Sequence, residues 1–113
     1  MIHFWADWCP HCRQEFPELQ KAFDTLKDQG LLIVGINSGQ PFDHMIGIQQ
    51  EFNLTFPMLS DEEAITAKKY KVSGLPASFY IDKDGNILQS EVGWVTEEKI
   101  VETYKQLTSA PSS

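Results

Sequence analysis

The sequence lacks several features that would mark whole classes of protein. Only two of its 113 residues are cysteines, too few for a small fold held together by disulfides. Basic residues are also scarce, nine against sixteen acidic ones, and the net charge of −7 gives a phosphate backbone no electrostatic attraction. No apolar run in it approaches the ~20 residues needed to span a bilayer, and no repeat or linker divides the chain. These absences leave one domain with its own hydrophobic core, and they favour a chemical role for the two cysteines.

The order of apolar runs and helical patterns predicts a three-layer α/β domain over residues 1–107, followed by a flexible tail at 108–113. Two buried strands flank an amphipathic helix that starts at Pro10 and ends at Gly30, which makes a βαβ unit. A helix is inserted after this unit, and a capping-box pattern at Ser60 predicts another. A β-hairpin and a last helix capped by Thr96 complete the order β α β α α β β α. We therefore expect a mixed sheet of four strands: residues 2–6, 31–37, 77–81 and 87–92.

The two cysteines lie at the start of the first helix, where cysteine becomes reactive. Pro10 suits the first helical position because its missing N–H costs nothing there, and this makes Cys9 the N-cap. The helix dipole and the unpaired N–H groups of the first turn stabilise a thiolate at Cys9. Cys12, one turn inward, is near enough to form a disulfide with Cys9 but more shielded. The pattern predicts that Cys9 attacks a substrate disulfide and that Cys12 resolves the mixed disulfide, with no cofactor required.

Other uses of the two cysteines stay open at this point. They could be inert core residues, or they could bind a metal ion. Zinc normally needs four ligands, and the other candidates are His3, His11 and His44. The rival from another functional class is therefore a metallochaperone that binds copper or zinc through Cys9, Cys12 and a histidine. A redox-inactive interaction module is the third possibility.

Several segments resemble those of a known family. The segment FWADWCPHC, from Phe4 to Cys12, resembles the active-site segment of the thioredoxin superfamily, and Gly74-Leu75-Pro76 resembles its cis-proline loop. The segment CRQEFP, which starts at Cys12, resembles the C-x-x-E-x-P stretch of TlpA/ResA-type thiol-disulfide oxidoreductases. Members of that type act in cytochrome c maturation and related extracytoplasmic processes. The similarity covers residues 1–107.

The resemblance implies a thioredoxin-like fold and a thiol-disulfide oxidoreductase. Its partners would be protein thiols and disulfides and an upstream electron donor or acceptor, with no nucleic acid, and the protein would be a monomer. A general dithiol oxidant or isomerase is the alternative within this class. An extracytoplasmic location follows from the resemblance; the sequence shows no signal peptide, and a cytoplasmic location stays open.

The resemblance also suggests roles for residues beyond the cysteines. Glu15, three residues after Cys12 on the same helical face, would accept the proton that Cys12 loses on attack, and the alternative is an ordinary solvated glutamate. Leu75 and Pro76, joined by a cis peptide bond, would dock a substrate peptide through the backbone. Four further residues are expected to rim the same surface: Trp8, Gly74, Gly93 and Trp94.

Two of the departures from the family pattern concern residues of the candidate site. His3 stands where thioredoxins have a buried aspartate and TlpA-like proteins commonly an asparagine. Its imidazole could lie under the active site and relay the Cys12 proton, or it could be a satisfied core histidine. The Pro10-His11 dipeptide resembles that of the strongly oxidising DsbA type. His11 would offer the Cys9 thiolate a donor or a positive charge, which predicts a more oxidising dithiol.

Overall fold

A five-stranded sheet with the strand order β3-β2-β1-β4-β5 forms the centre of the domain. The structure is a computed structural model that describes residues 1–109. Strands β1, β2 and β3 are parallel, and β4 runs antiparallel to both β1 and β5. The strands are β1 (Ile2–Trp5), β2 (Val34–Ser38), β3 (Met58–Asp61), β4 (Ala77–Ile81) and β5 (Ile87–Val92). The helices are α1 (Pro10–Leu26), α2 (Phe42–Phe52), α3 (Ile65–Lys69) and α4 (Glu97–Ser109), and a 3-10 turn, Lys27–Gln29, extends α1.

The prediction of a four-stranded sheet is wrong, because β3 adds a fifth strand beside β2. The capping-box pattern placed a helix start at Ser60, but Ser60 lies in β3 and the helix begins at Ile65. Asp61 serves that helix instead, since its carboxylate accepts hydrogen bonds from the backbone N–H groups of Thr66 at 3.2 Å and Ala67 at 3.0 Å. Pairing with β2 supplies ladder hydrogen bonds over the segment, which overrides the local signal for a helix turn.

Helices cover both faces of the sheet, which confirms the three-layer α/β prediction. Helices α1, α2 and α4 pack on the face that carries Trp5 and Tyr80, whereas α3 packs on the face that carries Phe4 and Phe79. Phe4 and Trp5 are adjacent in β1, point to opposite faces and are both 0% exposed. Burial of such a side chain contributes about 1.5–3 kcal/mol. The short, aromatic-rich segment at the start of the sequence therefore reflects a central strand buried on both faces.

Helix α1 begins at the residue that the sequence predicts, and the 3-10 turn that extends it ends at the predicted Gly30. Cys9 is its N-cap, Pro10 is its first residue, and Gly30 terminates the following 3-10 turn with a φ of 101°. That left-handed conformation is one that glycine adopts without a steric penalty. The buried residues of α1 recur at the helical period, and one of them, Glu15, is acidic. They are Cys12, Glu15, Phe16, Leu19, Ala22 and Leu26.

The C-terminal helix is longer than predicted. Its start matches the prediction, because Thr96 Oγ1 accepts a hydrogen bond from the Lys99 N–H at 3.2 Å. The helix continues to Ser109, so Thr108 and Ser109 are helical, and the rest of the predicted tail, 110–113, lies outside the described residues. Over residues 1–109, no helix has both the length and the apolar character needed to cross a membrane.

Candidate active site

The loop that carries the cysteines and the loop that carries Pro76 lie at the same end of the sheet. Strand β1 leads into the first loop, and β4, its antiparallel neighbour, begins directly after Pro76. In β5, Val92 pairs with Ala77, so the chain returns to this end at Gly93, whose N–H donates to the Pro76 carbonyl at 2.8 Å. The Leu75-Pro76 peptide bond is cis, as predicted. Three chain segments distant in sequence thus converge on one site.

The Cys9 sulfur caps helix α1. The backbone N–H of Cys12 donates to Cys9 Sγ at 3.3 Å, and the Cys9 N–H donates to the Ala6 carbonyl at 3.2 Å. A donor and the positive end of the helix dipole therefore both face the sulfur, which stabilises a thiolate. Cys9 is 3% exposed and Cys12 is 0% exposed. Both cysteines are buried, and Cys9 is the one that keeps a small exposed fraction.

The Cys12 thiol is held in its protonated form. Burial raises its pKa far above the ordinary value for a thiol, and a hydrogen bond with Cys9 and the negative charge of Glu15 add to the rise. A backbone hydrogen bond with Ala6 acts in the opposite direction but is outweighed. Cys12 therefore needs a base to take its proton as it attacks a disulfide.

Glu15 is buried, so it is not a solvated helix glutamate. Its side chain is 0% exposed, and its Oε2 accepts a hydrogen bond from the Val95 N–H at 2.6 Å. Its Oε1 lies 3.1 Å from His3 Nε2, and His3 Nδ1 lies 3.0 Å from Ser78 Oγ. His3 and Ser78 are also 0% exposed. The imidazole of His3 thus lies on the α1 side of the sheet and contacts the glutamate one turn from Cys12.

Sequence reasoning did not assign Ser78 or Val95, which complete this network. Ser78 pairs with His3 across β1 and β4, and it is a polar residue in a strand that is otherwise apolar. That contrast could have identified Ser78 once the pairing of the two strands was assumed. Val95 contributes only a backbone N–H, for which no side-chain pattern exists.

The predicted rim residues lie around this end of the sheet. Trp8 directly precedes Cys9 and is 69% exposed, and Trp94 follows β5 and is 56% exposed. Gly74 is close to β5, since a Cβ atom at Gly74 would lie 3.4 Å from Val92 Cγ1. The site is therefore bordered by exposed apolar surface.

Pro10 and His11 are the exposed part of the dithiol motif. His11 makes no hydrogen bond or ion pair within the part of the chain that the structure describes. Any effect of His11 on Cys9 thus comes from its position beside the N-terminus of α1, since no contact holds its ring in place.

A polar cluster flanks the cysteine loop. Asp7 accepts a hydrogen bond from Arg13 Nη1 at 3.2 Å through Oδ1, and its Oδ2 lies 3.2 Å from His44 Nδ1. Arg13 also pairs with Glu51 of α2, and together these residues line a cavity of about 310 Å³. His44 is half-buried in this cluster. The cluster links the loop before Cys9 to α2, and its charged groups are already paired.

The metal-binding alternative lacks ligands in this structure. Between residues 1 and 109, no three histidine, cysteine, aspartate or glutamate side chains converge to hold a metal ion. His3 is directed at Glu15 and Ser78. A metal ion on Cys9 and Cys12 would therefore gain no further protein ligand from the arrangement described.

Comparison with known proteins adds a family and a fold. Residues 1–90 match the model of the AhpC/TSA family. The thiol-disulfide oxidoreductase ResA of Geobacillus kaustophilus is 34% identical over 99 residues, which are 88% of this chain and 57% of that relative. The crystal structure of StoA from Bacillus subtilis is 29% identical with a TM-score of 0.79, over 89% of this chain and 78% of that one. The crystal structure of a thiol:disulfide interchange protein of the thioredoxin family from Chlorobium tepidum is 27% identical with a TM-score of 0.77. The match covers 90% of this chain and 76% of that one. The thioredoxin-like fold is thereby confirmed, and the chain spans less than two thirds of the length of the curated relative.

Proposed function

Because this chain belongs to the AhpC/TSA family and has a thioredoxin-like fold, we propose that it is a thiol-disulfide oxidoreductase acting on protein cysteines through Cys9 and Cys12. The observation that carries the proposal is the Cys9 sulfur at the N-terminus of α1, 3.3 Å from the Cys12 backbone nitrogen. The name of the ResA relative supports the same reaction. We assign the activity to the domain of residues 1–107.

The reaction has two steps, described here in the reducing direction. The Cys9 thiolate attacks one sulfur of the substrate disulfide; that S–S bond breaks, and its electron pair leaves on the other substrate sulfur. Cys12 then gives its proton to Glu15 and attacks the Cys9 sulfur, which releases the first substrate sulfur as a thiolate. The substrate gains two electrons and the dithiol loses two, ending as a Cys9–Cys12 disulfide. Substrate oxidation is the reverse sequence.

The substrate-binding surface is the apolar border of the site. Trp8 and Trp94 expose indole rings, which provide contact area for a polypeptide at a low cost in conformational entropy. Backbone groups of Leu75, which the cis bond to Pro76 holds beside Gly74 and Gly93, would pair with an extended substrate segment. We therefore propose that the substrate is a protein segment with apolar residues next to its cysteine.

The partners and the location follow from the same proposal. An upstream thiol or disulfide protein would restore the dithiol after each cycle, and the protein would act as a monomer. The resemblance to TlpA/ResA-type proteins favours an extracytoplasmic location and a role in cytochrome c maturation.

Replacement of Cys12 by serine is expected to trap substrates as mixed disulfides, because Cys9 can still attack but no thiol resolves the product. The measurement is non-reducing electrophoresis and mass spectrometry after incubation with a disulfide-bonded protein. The adduct should disappear on addition of dithiothreitol. The control is Cys9→Ser, which also retains a single thiol. Equal adduct on both variants would contradict the assignment of Cys9 as the nucleophile.

Replacement of His11 by alanine is expected to make the dithiol more reducing, because the N-terminus of α1 beside Cys9 loses an imidazole whose positive charge would stabilise the thiolate. We expect the reduction potential to fall by about 30 mV, a tenfold change in the equilibrium constant, when the protein is equilibrated with glutathione buffers. Lys21→Ala is the control, since it removes a cation from the same helix at an exposed position farther from Cys9. A wild-type potential near the thioredoxin value of about −270 mV, rather than nearer the DsbA value of about −120 mV, would refute this role of His11.

A further inference from the structure

A histidine and a glutamate from different elements form a completely buried pair one helical turn from Cys12. His3 of β1 and Glu15 of α1 have 0% exposed side chains, and their Nε2 and Oε1 atoms lie 3.1 Å apart. An ionised carboxylate is costly to bury unless hydrogen bonds and a partner compensate for the lost water. Both oxygens of Glu15 are compensated here, one by His3 and the other by the Val95 N–H at 2.6 Å.

The hydrogen bonds of this network can be satisfied in two charge states. When Glu15 is ionised and His3 is neutral, Nε2–H donates to Oε1 and Nδ1 accepts from the Ser78 hydroxyl, 3.0 Å away. When the pair holds one more proton, one proton still lies between Nε2 and Oε1, and the additional one is on Nδ1, which then donates to Ser78 Oγ. Because a serine hydroxyl can donate or accept, no side chain has to move between the two states. The network is therefore suited to take up and release one proton.

The charge of Glu15 acts on the Cys12 thiol, so the pair is close enough to Cys12 to influence its proton. On the neighbouring elements, Cys9 of α1 acts on Cys12, and Glu91 of β5 and the uncharged Thr103 of α4 act on Tyr80 of β4. Burial, with the Glu91 charge adding to it, raises the pKa of Tyr80 to about 12, so that phenol keeps its proton near neutral pH. Glu91 is half-buried. It lies in β5, on the opposite edge of β4 from β1, and is the β5 residue paired with Ser78.

We propose that His3 and Glu15 act as one proton-accepting unit for Cys12, in which His3 is a positioning residue that orients the carboxylate and shares its proton. The inference rests on the proposed thiol-disulfide exchange. In the resolving step the Cys12 proton moves to the carboxylate of Glu15, and the thiolate attacks the Cys9 sulfur of the mixed disulfide. The substrate sulfur leaves with the electron pair of the broken bond. The proton stays on the His3–Glu15 pair until the cycle ends.

A chromogenic aromatic disulfide separates the two steps. Reduced protein mixed with it releases one coloured thiolate when Cys9 attacks and a second when Cys12 resolves the Cys9 adduct. Stopped-flow absorbance records both phases as a function of pH. The first phase reports on Cys9 and the proposed function, and the second reports on the Cys12 proton.

Replacement of His3 by asparagine should change only the second phase. We expect it to slow by about 10-fold near neutral pH, part of the 10²-fold or more that a general base contributes. Its pH profile should change as well, because the carboxylate loses the imidazole that donates to it. Ser78→Ala, a smaller change in the same network, should slow the second phase about threefold, the effect of one buried hydrogen bond. A second phase that is unchanged in both variants overturns the inference.

A double-mutant cycle tests whether His3 acts through Glu15. Glu15→Gln should slow the second phase about 100-fold, and adding His3→Asn to it should slow it little further, because the two residues work as a unit. Effects that multiply in the double variant refute the shared unit. Near-ultraviolet circular dichroism of each variant shows whether the fold is kept, and Ser78→Ala carries the test if His3→Asn unfolds. A wild-type protein with no first phase overturns the proposed function and this inference together.

Discussion

Replacement of Cys9 by serine is expected to lower disulfide-exchange activity at least about 1,000-fold, as removal of the nucleophile does in other enzymes. The serine hydroxyl is not ionised near neutral pH and cannot form the mixed disulfide. Cys12 cannot substitute for Cys9, since it is 0% exposed and burial raises its pKa. The measurement is the rate at which dithiothreitol, with catalytic amounts of protein, reduces a disulfide-bonded substrate such as insulin.

The same variant provides its own control for folding. Serine is among the best N-cap residues, so α1 should keep its cap and the free energy of unfolding should change by less than about 1 kcal/mol. Thermal or urea unfolding of the reduced proteins checks this. A wild-type protein that turns over no faster than folded Cys9→Ser or a protein-free control would refute the enzymatic function and leave the interaction module as the remaining candidate.

Replacement of Phe16 by alanine is expected to destabilise the domain by about 3–5 kcal/mol, the usual cost of truncating a buried aromatic side chain. Phe16 is 0% exposed and packs edge-on against Trp5, with ring centroids 4.9 Å apart. On its other side it packs against Phe52, at 5.2 Å. The truncation removes contacts that hold α1 to both the sheet and α2. Urea unfolding followed by circular dichroism measures the loss.

Phe42 offers a matched control for that prediction. It is also a phenylalanine in a helix, but it is 53% exposed. Phe42→Ala should change the free energy of unfolding by no more than about 0.5 kcal/mol, as surface substitutions usually do. Equal losses in Phe16→Ala and Phe42→Ala would show that the core around α1 is not where the structure has it.

The elements that were predicted correctly depend on signals within a few residues. Strands β4 and β5 have the predicted bounds, because a turn at Asp82–Asn86 separates two runs of strand-forming residues and Asp82 accepts backbone hydrogen bonds within that turn. The Thr96 cap was equally local. Strand β3 was missed, because its four residues become a strand only through pairing with β2.

The sequence by itself determined the dithiol and its place at the start of a helix, because Cys9, Pro10 and Cys12 are within one turn and need no distant partner. Only the tertiary structure decided that Glu15 is buried and shares hydrogen bonds with His3 and Val95. The Glu15–Val95 bond joins residues 80 positions apart, and the His3–Ser78 contact spans 75. Such contacts follow from how the strands and helices pack, and no local pattern encodes them. The two thiols could thus be predicted from the sequence, and Glu15 was proposed as their base by resemblance, whereas its burial and its hydrogen-bond partners became identifiable only from the fold.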